Sequence, residues 1–218
     1  MAMGSSNRLW AQLSGNYTID PAKSGTRNYT TINAAINALK NQGVSNTVVF
    51  SIADGTYNES IEIVSSISGL YSPRQVIFSG QSKDSSRVII KSNKQNHVNL
   101  DQIRYLKFEH LTFSTSHPDG RTIYINRGAV YIEVSHCHIT NSSDHGTPYG
   151  VLFNQNDYTY INNCSFDSLA MAIYGNGNWS SHAKGHRIIG NRINNWSTRA
   201  ISLNDQEDVE VSDNDIAK

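Results

Sequence analysis

The sequence has no excess of charge of either sign, because 18 Lys and Arg are balanced by 18 Asp and Glu. Binding along nucleic-acid phosphates needs concentrated positive charge, so we expect no nucleic-acid partner. The sequence also lacks the apolar run of about 18 residues that a transmembrane helix needs, and we expect no membrane insertion. Its two cysteines, Cys137 and Cys164, are too few for a disulfide framework.

Charged residues make up only 17% of the chain, and uncharged polar residues fill their place. Asn, Asp, Gly and Ser are the residues that tight turns use, so this composition suits a fold with many turns. Disordered chains are poor in aromatic and β-branched residues, whereas this chain has 11 Tyr and many Ile and Val. The composition therefore predicts a packed, turn-rich β protein.

A six-residue pattern with an apolar residue at each end recurs along the second half of the chain. We call this pattern the template; it occurs as FEHLTF (108–113), VSHCHI (134–139), INNCSF (161–166), IIGNRI (188–193) and VSDNDI (211–216). The last residues of these units are 26, 27, 27 and 23 positions apart. Self-similarity at such a period is typical of solenoids, in which each repeat forms one coil.

A second pattern lies between the templates and ends in Asn or Asp. It occurs as VNLD (98–101), IYIN (123–126), VLFN (151–154), IYGN (173–176) and ISLN (201–204). An Asx residue at a strand end can bond to the turn that follows and tolerates left-handed backbone. Each coil therefore has at least two short strands, and we expect these strands to stack in parallel at about 4.8 Å, with the Asx residues bonding along the axis.

One helix is predicted before the first coils. In residues 31–42, Ile32, Ala35, Ile36 and Leu39 share a face, Thr30 or Thr31 can cap the start, and Gly43 suits the end. An open solenoid end exposes strand edges and core, so we expect this helix to close it. We predict one domain over residues 14–218, of about seven coils, preceded by a cloning remnant or flexible lead-in at 1–13.

The N-terminal part resembles a known superfamily. Residues 29–39 (YTTINAAINAL) and 48–63 (VVFSIADGTYNESIEI) are similar to the entry of pectin-methylesterase-like and pectate-lyase-like β-helices. The phrase that begins at SGNYTID (14–20) also resembles modules of large secreted surface proteins of Bacteroidetes-type bacteria. The resemblance covers residues 14–92 by motif, and it implies an all-β, right-handed parallel β-helix of the pectin-lyase-like superfamily.

The catalytic motifs of that superfamily are not found. Pectin methylesterases carry Gln-Asp and Asp-Phe-Ile-Phe-Gly motifs, whereas the nearest segments here, at 100–102 and 203–206, lack the partner residues. Pectate lyases hold Ca²⁺ with acidic residues, which lowers the cost of the negative charge that develops beside the uronate carboxylate. No tight acidic cluster of that kind appears on one face. We expect no cofactor, unless the protein is a lyase that uses Ca²⁺.

Three surfaces are candidate glycan-binding sites. The first is an outward column in which Tyr105, Tyr131 and Tyr158 align beside the template. Tyrosines on a flat β face suit stacking on sugar rings. They are also common on solvent-facing sheets, where they pair with each other across strands.

The second candidate is a corner with enlarged loops in two successive coils. Equivalent positions place His117 and Asp119 near Asp144 and His145. These side chains could bind substrate or supply an acid and a base, since functional residues favour loops on rigid scaffolds. Alternatively, Pro-Asp-Gly and Asp-His-Gly are ordinary turn sequences.

The third candidate is the insertion at 177–186, where Trp179, His182 and Lys184 could contact a ligand. Lys184 could act as a base if burial or a neighbouring cation lowered its pKa. The alternative is a surface loop with Trp179 folded back onto the preceding coil.

The cysteines share one template position with Leu111, which the alternation places inside. We interpret Cys137 and Cys164 as small core residues, although adjacent strands do not forbid a disulfide.

Together these observations favour a secreted or cell-surface β-helix module that binds glycans or mediates adhesion within a larger protein. The alternative is a polysaccharide-degrading enzyme, either a lyase or a glycoside hydrolase. The sequence stops at residue 218, directly after a template, so we expect further coils or another chain to cover that end.

Overall fold

The computed structural model describes residues 11–143, 145–180 and 182–218. In chain order its elements are β1 (Leu13–Ile19), β2 (Asn28–Tyr29), α1 (Ile32–Gln42), β3 (Val44–Ile52), β4 (Gly55–Tyr57), β5 (Ile61–Ile63), β6 (Val76–Gly80), a 3₁₀ turn (Ser85–Arg87), β7 (Val88–Ser92), β8 (Asn96–Leu100), β9 (Arg104–Glu109), β10 (Thr112–Thr115), β11 (Arg121–Ile125), β12 (Val130–Ser135), β13 (His138–Asn141), β14 (Tyr149–Asn154), β15 (Asp157–Asn162), β16 (Ser165–Asp167), β17 (Leu169–Asn176), β18 (Ala183–Lys184), β19 (Arg187–Ile189), β20 (Arg192–Ile193), β21 (Trp196–Asn204), β22 (Gln206–Glu207), β23 (Glu210–Ser212) and β24 (Asp215–Ile216).

The strands form three long parallel sheets that the chain visits in turn, once in each coil. Sheet 1 has the order β2-β1-β3-β6-β9-β12-β15-β19-β23. Sheet 2 runs β4-β7-β10-β13-β16-β20-β24, and sheet 3 runs β5-β8-β11-β14-β17-β21. The predicted solenoid of about seven coils is confirmed. Each complete coil has three strands, in agreement with the expected minimum of two, because the template spans the end of a sheet 1 strand and the start of a sheet 2 strand.

The register between coils follows the sequence repeat. Phe113 pairs with Ile139, Ile139 with Phe166, and Phe166 with Ile193. The inward side chains of successive coils therefore lie on one another, as Phe50, Phe78 and Phe108 do with ring centroids 5.0 and 5.6 Å apart. All three rings are fully buried. This continuous stack is the centre of the hydrophobic core.

At the corner between sheets 1 and 2, one residue in each coil has a left-handed backbone conformation. That residue is the third of each template, namely His110, His136, Asn163, Gly190 and Asp213, with φ between 52° and 67°. His, Asn, Asp and Gly are the residue types that tolerate this conformation best. In the turn after sheet 3, the left-handed residue is not the predicted Asx but the one that follows it, as at Gln102 and Gln155.

The position after this corner carries the inward column that contains the cysteines. Cys137 and Cys164 are buried free thiols, as their interpretation as core residues predicts. In the next coil Asn191 occupies the same position, and its side chain bonds to the backbone on both sides of the preceding coil's turn. Its Oδ1 accepts from the Cys164 amide at 2.9 Å, and its Nδ2 donates to the Ile161 carbonyl at 2.8 Å.

Helix α1 covers the first coil as predicted, with Thr31 as its N-cap: the Thr31 hydroxyl accepts from the Ala34 amide at 3.0 Å. Glu59, in the turn between sheets 2 and 3, also caps the helix. Its carboxylate accepts from the backbone amides of Ile32 and Asn33 at 3.0 and 2.9 Å. A carboxylate at this end is favoured by the unpaired amides and by the helix dipole. Helix α1 is thus joined to the first coil by hydrogen bonds to a charged side chain.

At the other end, the last coil leaves core positions uncovered. Val211 and Ile216 occupy the apolar ends of a template, yet they are 48% and 47% exposed. No helix among the described residues is long and apolar enough to cross a membrane.

Replacing Glu59 with alanine should destabilise the protein by about 1–3 kcal/mol, because buried helix amides lose a charged acceptor. The free energy of unfolding from chemical denaturation measures this loss. Glu62→Ala removes an exposed carboxylate from the neighbouring strand β5 and should change stability by less than about 0.5 kcal/mol. Equal effects of the two variants would contradict the capping role of Glu59.

Stability should fall as pH drops from about 6.5 to about 4, because two histidines are buried in neutral form. Burial lowers the pKa of His97 and of His186 from 6.5 to about 4. The unfolded chain therefore takes up their protons first, and stability that is complete above pH 6.5 is lost on acidification. Denaturant titrations at pH 7 and pH 5 should differ by on the order of 3 kcal/mol.

His186→Gln should remove about half of this difference. His136→Asn should leave it unchanged, since that histidine is exposed at a left-handed position that Asn also tolerates. An unaltered pH dependence in His186→Gln would contradict the assignment.

Candidate functional site

The outer face of sheet 3 carries a set of aromatic and amide side chains between two loop regions. Its strands are in register, so Arg121 lies between Asn96 and Tyr149, and Leu152 lies between Tyr124 and Tyr174. These side chains alternate with buried ones such as Ile123 and Val151, as expected for a sheet with one face on the core. The outward set along β8, β11, β14 and β17 is Asn96, Asn99, Arg121, Tyr124, Tyr149, Leu152, Met171 and Tyr174.

Arg121 is held against this face by its neighbours. Its guanidinium carbon lies 4.8 Å from the centroid of the Tyr124 ring, and its Nη1 lies 3.4 Å from Asn96 Oδ1. Farther along the face, the Tyr149 and Tyr174 rings are 5.7 Å apart and tilted by 59°. A cation packed on an aromatic ring loses little freedom when it binds an anion. Arg121 is therefore pre-oriented beside aromatic rings, in a position from which its guanidinium can bind an anion.

A ladder of amides forms the edge of the same face. Asn154 Nδ2 donates to Asn126 Oδ1 at 3.3 Å, and Asn176 Nδ2 donates to Asn154 Oδ1 at 3.1 Å. The predicted bonding of Asx residues along the axis is confirmed for these three. In the last coil, Asn204 instead donates to the Tyr174 hydroxyl at 3.2 Å. Amide and hydroxyl groups in this arrangement can exchange hydrogen bonds with a polyhydroxylated ligand.

The enlarged loops lie at the corner between sheets 2 and 3 and pack together, as their equivalent positions predict. The Thr147 amide and hydroxyl both donate to Asp119 Oδ1, at 3.1 and 3.2 Å. His117 makes two hydrogen bonds in this region. Its carbonyl accepts from Asn141 Nδ2 at 3.0 Å, and its Nδ1 accepts from the Asp119 amide at 3.1 Å. These bonds show that Asp119 and His117 hold the loops in place.

The remaining predicted loop residues are His145 and Asp144. The His145 carbonyl accepts from Ser143 Oγ at 2.9 Å. Asp144 lies outside the described residues. The predicted grouping of the loop carboxylates as an acid and base pair stays a prediction.

A cavity of about 500 Å³ lies at the same corner, next to these loops. Hydroxyl and amide side chains supply most of its lining, together with Lys91, Lys94 and Glu59, whose carboxylate is bonded to the first amides of α1. Neither lysine has an ion-pair partner within the described part of the chain. Lys94 precedes β8, whose Asn96 contacts Arg121, so the three cations border one region.

The insertion at 177–186 leaves the opposite edge of sheet 3, directly after Asn176. Trp179 is 83% exposed, which shows that it is not folded back onto a coil. His182 Nδ1 lies 2.6 Å from Glu207 Oε1, and the Lys184 amide donates to Asp157 Oδ1 at 3.0 Å. Strand β18 pairs with β22 and supports this loop. Trp179 is thus a large apolar side chain presented to solvent beside sheet 3.

The tyrosine column lies at a different corner, where sheet 3 leads into sheet 1. Tyr105 and Tyr131 stack with centroids 4.9 Å apart and an interplanar angle of 5°, and Tyr131 and Tyr158 stack at 4.5 Å and 7°. The predicted alignment is confirmed. Because the rings cover one another, Tyr131 cannot offer a ring face to a sugar, contrary to the simplest form of the stacking hypothesis.

The residues that sequence reasoning missed are those of the sheet 3 face. Arg121, Tyr124, Tyr149 and Tyr174 lie in or directly beside the apolar alternations that end in Asn. The alternation along these strands could have identified them, because in a strand with one buried face the residues between the apolar ones point outward. In addition, the described residues hold no group of three His, Cys, Asp or Glu that could bind a metal ion.

No protein-family model and no curated protein sequence matches the chain. Solved structures with a similar fold include pectin methylesterase PemA from Erwinia chrysanthemi, at 12% identity and a TM-score of 0.52, covering 84% of this chain and 71% of that one. The rice weevil pectin methyl esterase matches at 13% identity and a TM-score of 0.52, covering 88% and 68%.

The pectin methylesterase from Aspergillus niger is similar over 91% of this chain and 71% of its own, at 17% identity and a TM-score of 0.51. At such identities the similarity concerns the fold. The chain therefore has a right-handed parallel β-helix fold like that of these pectin methylesterases.

Proposed function

We propose that the protein is a polysaccharide-processing enzyme that binds an acidic glycan chain on the outer face of sheet 3. The observation that carries the proposal is Arg121, oriented by Tyr124 in the middle of an aromatic and amide-rich face. The similar solved structures are pectin methylesterases, and one was solved in complex with a hexasaccharide. That likeness favours an enzyme over the adhesion module that the sequence suggested first.

The charges around sheet 3 favour an anionic substrate. Arg121, Lys91 and Lys94 supply three cations at one corner, where Glu62 is the exposed carboxylate on the neighbouring strand β5. A uronic acid carries one carboxylate in each sugar unit. Aromatic rings such as Tyr149 and the exposed Trp179 suit the apolar faces of sugars. An extended polyuronate would therefore meet aromatic, amide and cationic groups in succession.

Of the two degradative reactions, elimination fits these residues better than hydrolysis. Glycoside hydrolases use two carboxylates about 5–9.5 Å apart. Of the described carboxylates at the corner, Asp119 is already bonded to Thr147 and Glu59 to the first amides of α1. A lyase instead needs a base for the proton beside the carboxylate and cations that stabilise the resulting charge, roles that lysine and arginine can fill. Since no set of three metal ligands occurs in the described ranges, no step is assigned to Ca²⁺.

A second candidate is glycan binding without turnover. It is favoured by the outward residues of β8, β11, β14 and β17, which are amides, aromatics, apolar residues and one arginine rather than paired acids. In either case the ligand is a polysaccharide, and we propose a secreted or surface location in which such a ligand is met. Coverage of Val211 and Ile216 by further coils or another chain is part of the same proposal.

Incubation with polygalacturonate should yield unsaturated products that absorb in the ultraviolet, because elimination leaves a double bond conjugated with the carboxylate. New reducing ends without this absorbance would indicate a hydrolase. Methanol release from esterified pectin would indicate an esterase. Retention of the protein on the polysaccharide without any product would contradict the proposed enzymatic activity and would favour glycan binding without turnover.

Binding of polygalacturonate should weaken about tenfold in Arg121→Gln and in Lys94→Gln, because each loses one charged contact with a carboxylate. Affinity electrophoresis in gels containing the polymer measures this change. Higher salt should reduce the difference, since exposed charges are screened.

Arg187→Gln is the matched control. It removes the same charge from the outer face of sheet 1, where Arg187 is paired with Glu210 at 3.5 Å. An equal loss of binding in this control would show that net charge, and not the sheet 3 face, determines affinity.

A further inference from the structure

The tyrosine stack has one closed end and one open end. At the closed end, the next coil places Gly185 in the column, with φ of 71°. A Cβ on Gly185 would collide with the ring of Tyr158. The glycine backbone therefore lies directly on that ring, and Tyr158 has both faces covered.

The other end of the stack lacks such a cover. Val76 pairs with Leu106, so the residue that precedes Val76, Gln75, takes the column position next to Tyr105. Gln75 has an exposed, flexible side chain rather than a ring. The face of Tyr105 that points away from Tyr131 is consequently the free face of the stack.

This free face borders a cavity of about 370 Å³. The cavity lies between Tyr105 and the turn at 72–75, and it extends across Lys107 and Glu133 to Tyr131 and Tyr160. Its volume falls within the range of about 300–1,000 Å³ that is typical of small-molecule sites. A flat ring placed here would continue the tyrosine stack by one more layer.

The polar groups of the cavity indicate which kind of ring fits. Lys107 and Glu133 line it and form an ion pair at 3.1 Å, so their charges are already matched. Ser72 and Gln75 add a hydroxyl and an amide. With the hydroxyl of Tyr160, which also lines the cavity, these polar groups beside one apolar ring face suit a neutral ring with several hydroxyls. A phenol has a single hydroxyl and can bond to fewer of these groups.

We propose that this cavity is a second carbohydrate site, which binds one neutral pyranose unit on the free face of Tyr105. Lys107 Nζ donates to the sugar hydroxyls, Glu133 accepts from them, and Gln75 closes over the ring. The site lies on sheet 1 and does not use the sheet 3 face. A branched acidic polysaccharide could therefore be held at two places, by its charged main chain and by a neutral side-chain sugar.

Ligand-observed saturation-transfer NMR on the full chain tests this site with methyl β-D-galactopyranoside, methyl β-D-glucopyranoside and methyl α-D-mannopyranoside. At least one probe should bind with a Kd on the order of 1 mM. Its strongest transfer should fall on the C–H groups of one ring face. Binding of none of the three, or binding of p-cresol in their place, would overturn the proposal.

Variants locate the binding. Tyr105→Ala should weaken the probe at least tenfold, whereas Tyr105→Phe should retain affinity within about twofold, because the ring face remains. Gln75→Trp should abolish binding by stacking its own ring on Tyr105. The fold should tolerate that change, since Gln75 is exposed and only its backbone is bonded, to Thr47 Oγ1 and the Val48 amide.

Tyr158→Ala is the matched control, because it removes a tyrosine of the same column whose faces are both covered. It should leave the affinity for the probe unchanged, and circular dichroism verifies that each variant is folded. Equal losses in Tyr158→Ala and Tyr105→Ala would refute the assignment to the free face. Since the probes are uncharged, failure here is separable from failure on polygalacturonate.

Discussion

The whole structure depends on one constraint, which is that every coil must return above the previous one in register. Parallel strands bond at about 4.8 Å, so each residue has its own equivalent in the next coil as nearest neighbour. Phe78 therefore contacts Phe50 and Phe108, and Asn154 contacts Asn126 and Asn176. Columns of like residues are the direct result of this geometry, in the core and on the surface alike.

The same constraint explains which residues occupy the turns and the end. A corner that repeats in every coil needs a left-handed residue each time, and His110, Asn163 and Gly190 share that position because their types tolerate it. At the first coil, β1 and β2 continue sheet 1, and α1 covers the rest of that end. Glu59 joins the helix to the coil. It belongs to the segment 48–63 that resembles other β-helices, and in this structure its role is structural.

The side chains that build this framework and those available for binding lie on opposite faces of the sheets. The inward columns determine stability, whereas the outward columns are free to vary, and those of sheet 3 combine Arg121 with aromatic and amide groups. Loops enter and leave sheet 3 at both edges, and they carry Lys94 on one side and Trp179 on the other. The stack of tyrosines lies apart from this face, and the free face of Tyr105 is set by the absence of a ring in the preceding coil.

The sequence by itself determined the solenoid, the capping helix at Ile32–Gln42, the register of the templates and the alignment of Tyr105, Tyr131 and Tyr158. These features follow from spacing along the chain, because the period of the repeat is the length of a coil. Only the tertiary structure decided which side chains are available for binding. It showed that Asp119 is bonded to Thr147, that Trp179 is exposed, and that the ring faces of Tyr131 and Tyr158 are covered. Such facts depend on contacts between residues about 27 positions apart, and these become neighbours only when the coils stack.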